Sequence, residues 1–233
     1  MVLRRWAKTF ANGTVAAQLE KLNARHPWSH NDHFHGWILA NLPEQRRSAL
    51  DVGCGRGELL VALAPQFSDV NGVDADAAMR EQATQRSAGF GNVTVRGGAW
   101  NDDPGPYDLI TMIAVLHHLD VTAALHDVRR LLAPGGRFLA VGLAVPRSIR
   151  DHAWDLASVV TNPVIGYVKH PWPNPNGKQP APFPVQDPTQ TFDELRDVVV
   201  DAMPGAEMRH QLGFRHTIAW TKPVVPAGSQ RVR

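Results

Sequence analysis

Three glycines at alternate positions form the stretch most able to do chemistry, Asp51-Val52-Gly53-Cys54-Gly55-Arg56-Gly57. They follow an apolar run from Ala49 and precede Glu58-Leu59-Leu60, where apolar residues resume at helical spacing. Such a turn binds rather than breaks bonds. Without a Cβ, Gly53, Gly55 and Gly57 can take positive φ and let a ligand lie against bare backbone. A second acid, Asp74, ends the next apolar run nineteen positions after Gly55. A carboxylate there suits a pair of charge-assisted hydrogen bonds to adjacent hydroxyls, or else caps the helix that follows, for which Asp76 is the better placed. His117 and His118 come after a later apolar run, Tyr107–Ile113. Imidazole titrates near neutrality, so either can serve as general base or hydrogen-bond a nucleophile; the bland alternative is packing or a backbone bond. A third group, His30, His33 and His35, has the spacing His-x-x-His-x-His. On a helix His35 points away from the other two, so no metal site is expected, and His30 is the candidate base or substrate contact.

The elements that must hold these residues alternate. Strands are expected at 48–52, 69–73, 92–96, 107–113 and 137–143, and helices at 57–64, 76–88 and 121–132, the last capped by Asp120 and ended by Pro134-Gly135-Gly136. Strands separated by helices imply a parallel sheet covered on both faces, with ligands beyond the carboxyl ends of the strands. Asp51–Gly57, Asp74, 97–101 and Ile113–His118 all fall at such ends. Around this core, residues 1–46 read as a helical cover, and 146–190 as an insert or lid with a proline-dense loop from Pro171 to Pro182. Thr191-Phe192-Asp193-Glu194 is a capping box opening a helix over 192–203. Strands near 206–212 and 214–221 then form a hairpin completing the core within 191–223, and 224–233 is a tail. Five of the seven tryptophans (Trp6, Trp28, Trp37, Trp154, Trp172) lie in the cover and insert. They suit a lid over an apolar or planar molecule, or anchors of those segments to the sheet.

Composition narrows the classes. A chain of 233 residues, 43% hydrophobic, suits one well-buried domain with a modest addition. A formal charge of +2 without a basic stripe argues against a nucleic-acid partner. Cys54 is the sole cysteine, which excludes an intrachain disulfide and a cysteine zinc cluster. No run approaches the roughly 18 apolar residues of a membrane span. A soluble cytoplasmic protein, monomer or homodimer, is the expectation.

Taken in order, the glycine turn, Asp74, the strand running into Leu116-His117-His118-Leu119 and Leu131-Leu132-Ala133-Pro134-Gly135-Gly136-Arg137 resemble the class I S-adenosylmethionine-dependent methyltransferases. The likeness is to the branch of free-standing small-molecule enzymes that includes ubiquinone and menaquinone methylases. It covers about residues 47–145 well. It implies a Rossmann-like α/β fold, a seven-stranded, mostly parallel sheet with an antiparallel C-terminal hairpin and helices on both faces. It also implies S-adenosylmethionine as cofactor and S-adenosylhomocysteine (SAH) as product. The binding residues implied are Asp51, Gly53, Cys54, Gly55, Gly57, Asp74, Ala75, Ala99, Trp100, Asn101 and Ile113, with Asp74 on the ribose and Asp51 favouring the positive charge. One departure stands out: after the third strand the family carries Gly-Asp-Ala, and here Gly98 replaces the acid that takes the adenine amine. Trp100 then stacks on the base with Asn101 or Asp102 taking the amine, or Trp100 is core.

The implied reaction is in-line methyl transfer to oxygen or nitrogen of a small, aromatic or apolar molecule. The absence of Asn-Pro-Pro-Tyr after the fourth strand argues against amino-methylation of adenine or glutamine, and Ile113-Ala114 in place of an acid disfavours the magnesium-dependent catechol type. Rival readings are an RNA or protein methyltransferase on the same core, a nicotinamide-dependent oxidoreductase, and a non-catalytic binding protein. Glu58, where the pattern G-x-G-x-x-G requires Gly or Ala, and the hairpin argue against the oxidoreductase.

Overall fold

A computed structural model of the protein describes residues 34–102, 104–145, 188–211 and 215–224. His30 and His33, most of the expected cover and insert, and the tail lie outside the described residues. The elements in chain order are α1 (His35–Leu39), β1 (Ser48–Val52), α2 (Glu58–Leu63), β2 (Asp69–Val73), α3 (Ala77–Ser87), β3 (Val93–Arg96) and β4 (Tyr107–Ile113). There follow α4 (Val121–Leu131), β5 (Leu132–Gly142), α5 (Phe192–Ala202), β6 (Glu207–Gln211) and β7 (Arg215–Thr221). Seven strands form one sheet in the order β3-β2-β1-β4-β5-β7-β6. The β1–β5 pairings are parallel, and β7 runs antiparallel to both β5 and β6. The expected mixed sheet with its C-terminal hairpin is therefore present.

Side chains alternate across the pleat, and both faces are apolar because both are covered. On one face Leu50 and Val52, Ile110 and Met112, and Phe138 and Ala140 pack with Leu125 and Val128 of α4 and Leu195 and Val199 of α5. The other face sets Ala49, Leu109 and Leu139 against Leu59, Leu60 and Leu63 of α2, Ala83 of α3 and Ile38 of α1. This arrangement puts β1 and β4 at the centre, with the chain crossing to opposite sides after each. The switch in strand order lies between them, the place where such sheets bind ligands.

Capping fixes where the helices start. Asp76 Oδ1 accepts from the N–H groups of Ala78 (2.8 Å) and Met79 (3.1 Å), and Asp120 Oδ1 from Ala123 (2.9 Å). In α5 the Thr191 hydroxyl accepts from Glu194 N–H while the Glu194 carboxylate accepts from Thr191 N–H, a complete capping box.

The end of α4 departs from expectation. Pro134-Gly135-Gly136 does not stop the helix, which passes directly into β5 at Leu132. Leu132 pairs with Tyr107 and the next ladder partners are Leu109 and Arg137, so residues 133–136 bulge out of the strand. Gly136 fits because a Cβ there would lie 3.0 Å from the Tyr107 carbonyl oxygen. The bare carbonyls of α4 are met from far along the chain: Lys222 Nζ donates to Arg129 O and Leu132 O, 2.6 Å each.

Candidate active site

The glycine turn leaves β1 with Gly53 at φ +70°, Gly55 at +54° and Gly57 at +78°. Gly53 and Cys54 both donate to Val73 O, at 2.7 and 3.1 Å, so the ends of β1 and β2 are tied together. A Cβ on Gly53 would collide with Cγ2 of Val115, which lies just past the end of β4. One on Gly57 would come 2.9 Å from the Ala83 Cα. The first glycine thus admits the β4 turn, and the third lets α2 approach α3.

Asp74 faces this turn. Its Oδ2 accepts from Gly55 N–H and its Oδ1 from Asp76 N–H, each at 2.8 Å. A carboxylate offers about four lone-pair sites, so roughly two stay open after these bonds. The α3 cap itself belongs to Asp76. Arg80 supports the corner by donating to Asp74 O and Ala75 O, both at 2.9 Å, and its guanidinium lies against Gly97 after β3. Nothing in the sequence marked Arg80, which sits in a polar helix where one arginine resembles another.

Asp51, 3% exposed, receives a 2.7 Å bond from the Thr111 hydroxyl on β4. Burial pushes its carboxyl up to about 7, against the Thr111 bond, and nearby Asp74 and Glu58 add to the rise. Burial and the charge of Asp51 also push the Cys54 thiol up, which leaves it unreactive.

Beyond β3, Gly98 has φ +89° and nothing within 4 Å of where its Cβ would be. Trp100–Asp102 is a short 3-10 turn in which Trp100 packs against the sheet core. The Asn101 amide nitrogen donates to Asp127 Oδ2 at 2.7 Å. Ala75 and Ala99 are exposed and Ile113 is half-buried. These residues rim the carboxyl ends of β2, β3 and β4, the edge onto which Asp51 and the glycine turn open.

At the end of β4 the chain takes an unusual step. Ala114 has φ +57°, rare for a residue with a Cβ, and donates to Val141 O at 2.7 Å. That twist lays Val115 on Gly53 and leads into a 3-10 turn, Leu116–His118. The His117 and His118 rings meet at 4.1 Å, tilted by 37°. Burial, then the charges of His118 and Arg215, hold the His117 imidazole down at about 4. His117 lines a cavity of about 290 Å³ with apolar residues such as Leu116, Val121 and Leu195, with the polar Asp120, Thr122, Thr189 and Gln190 and, from β7, with His216. Sequence reasoning missed both Ala114 and His216. An alanine gives no local sign of positive φ, and a histidine within a strand gives none of what its ring faces.

A family model described as a methyltransferase domain matches residues 50–138. An uncharacterised methyltransferase of Mycobacterium tuberculosis is 34% identical over 205 residues, covering 85% of this chain and 98% of its own length. A ubiquinone biosynthesis O-methyltransferase of Alkalilimnicola ehrlichii is 32% identical over 100 residues, 40% of each chain. Among solved structures, magnesium protoporphyrin IX methyltransferase from Synechocystis, with SAH bound, aligns at a TM-score of 0.53 and 19% identity over 94% of both chains. The match to the ubiquinone enzyme takes in two-fifths of each chain, whereas the mycobacterial relative is matched almost from end to end. On that kinship, and on the sheet and glycine turn described above, this chain belongs to the class I S-adenosylmethionine-dependent methyltransferases.

Proposed function

We propose that the enzyme methylates oxygen or nitrogen of a small, largely apolar acceptor bound in the cavity beside the β4 turn. The observation that carries this reading is the cavity's place and size. It begins at Leu116, next to the Val115 that rests on Gly53, and its volume of about 290 Å³ suits a small molecule. The name of the Alkalilimnicola relative, an O-methyltransferase, favours oxygen.

The residues fit the cofactor. Bare backbone at Gly53–Gly57 gives it a surface, and Asp74 keeps lone pairs for the ribose hydroxyls. Trp100 and Asn101 border the adenine end, with Ala75, Ala99 and Ile113 as the rim. Asp51, buried and bonded only to Thr111 among the described residues, supplies negative charge for a cationic group. When bound, S-adenosylmethionine provides an activated methyl group on a sulfonium. The protein's part is to hold the acceptor atom in line and keep the site dry. His117, held down at about 4, stays neutral at physiological pH, so its lone pair can accept a hydrogen bond that orients the acceptor and does not hold its proton.

The test is turnover. Purified enzyme with S-adenosylmethionine is expected to release SAH in the presence of small phenols or amines, with none from bulk tRNA or protein. Methylation of RNA or protein alone would overturn the proposal.

A pH effect follows from Asp51. Its folded value near 7 lies above the unbound carboxylate range, so at pH 6 it is mostly protonated. A cation favours the carboxylate, so cofactor binding must expel that proton. Affinity is expected to rise with pH up to about 7, by at most about tenfold per unit, and then level off. Calorimetry at pH 6.5 in two buffers of different ionisation enthalpy should report proton release. Equal heats and a flat affinity from pH 6 to 8 would remove Asp51 from this role.

A further inference from the structure

Resting on that reading, we propose that His216 is a binding residue for the acceptor, and that it selects molecules bearing a hydroxyl group. His216 stands on β7, remote in sequence from the turns that form the cofactor side of the site. Its side chain lines the same cavity as His117 and is 2% exposed. Neither Nδ1 nor Nε2 has a hydrogen-bond partner among the described residues, and His117 Nδ1 is likewise unmatched.

That condition is costly for a purely structural side chain. A neutral imidazole has one N–H donor and one bare nitrogen, and each left unpaired in the interior costs about 1–3 kcal/mol. Phenylalanine would fill the same space without the penalty. The surrounding chain nevertheless makes room for the imidazole. Gly142 is directly opposite His216 in the β5–β7 ladder, and a Cβ on it would lie 2.6 Å from His216 Nε2. Phe192 stands edge-on to the ring at 6.0 Å and stacks at 3.7 Å on His210, the β6 partner of His216. The ring is thus held from three sides with its polar atoms unspent.

The missing partner has a definite chemistry. Burial above all, with the Arg215 guanidinium among the neighbouring groups, keeps His216 neutral, near 3, so it does not act as a fixed cation for a carboxylate. Between them the two histidines present donors and acceptors, which a hydroxyl, itself donor and acceptor, can satisfy. Leu116, Leu119, Val121 and Leu195 meanwhile suit an apolar body. An alcohol or phenol matches on both counts; an ether offers only an acceptor, and a carboxylate brings a second negative charge to a cavity that Asp120 also lines.

Phenol, anisole and benzoate serve as probes, each titrated into the SAH-saturated enzyme with the histidine ring nitrogens followed by NMR. Phenol is expected to bind and shift the His216 signals, with anisole and benzoate at least tenfold weaker. His216→Phe is expected to keep its melting temperature or gain, to bind SAH within twofold of the parent, and to lose phenol affinity at least tenfold. Phenol binding that leaves the His216 signals unmoved, a lack of preference over anisole, or no phenol binding at all would overturn the proposal while SAH binding stands. Failure of SAH itself to bind would instead sink the cofactor assignment on which it rests. The parent enzyme's NMR comparison decides the matter even if His216→Phe does not fold.

Discussion

Asp74→Ala is expected to weaken SAH binding at least a hundredfold, about 2.8 kcal/mol or more, with the protein still folded. Two losses combine in that figure. The first is the pair of charge-assisted bonds to the ribose hydroxyls, each worth about 1.5–3 kcal/mol at most when an ionised acceptor is involved. The second comes from the enzyme's own architecture. The same carboxylate holds Gly55 N–H and Asp76 N–H at 2.8 Å, so removing it frees the middle of the glycine turn just where the ligand is to lie. Asp74→Asn separates the two effects. One amide oxygen can keep one of the backbone bonds, but the NH2 faces the other donor, so affinity should fall by an intermediate amount. Titration calorimetry with SAH checks both variants. If Asp74→Ala binds within threefold of the parent, the ribose lies elsewhere and the carboxylate is only a staple for the turn.

Asp74 was legible because its signal is local: an acid at the end of an apolar run, at a set distance from three glycines. The same holds for the sheet, whose strands are short apolar runs bounded by turn residues, and for the helices, whose caps are single side chains next to the first turn. What stayed hidden depends on pairs distant in sequence. The bulge at 133–136 exists because Leu132 pairs with Tyr107, and Pro-Gly-Gly reads equally well as a helix stop. Lys222 as the cap of α4, over ninety residues away, leaves no mark near the helix. The cavity behaves likewise. His117 announced itself as one of a pair after a strand, but His216 becomes a candidate only once the ladder sets it opposite Gly142. Local spacing marked the glycine turn and the Asp74 that the structure brings against it, and the cavity beside β4 emerged only from tertiary structure.

The three glycines looked alike in sequence but differ in what they tolerate, and Gly57 is expected to tolerate least. Its φ of +78° costs an alanine about 1–2 kcal/mol in the left-handed region. The new Cβ would also sit 2.9 Å from the Cα and 3.3 Å from the carbonyl oxygen of Ala83, which are backbone atoms of α3 and cannot rotate aside. Forcing the helices apart adds about 1–3 kcal/mol, and it does so where Leu59, Leu60 and Ala83 share one core. Gly57→Ala should therefore lose about 2–5 kcal/mol, which at about 2–4 °C per kcal/mol for a chain of this size lowers the melting temperature by roughly 5–20 °C. Gly98→Ala is the internal control, with φ +89° but open space around it, so it carries the backbone cost alone. Circular dichroism melts of the two variants side by side check the argument. A Gly57→Ala protein no less stable than Gly98→Ala would mean that α2 and α3 do not meet through this residue, and that its glycine serves the ligand after all.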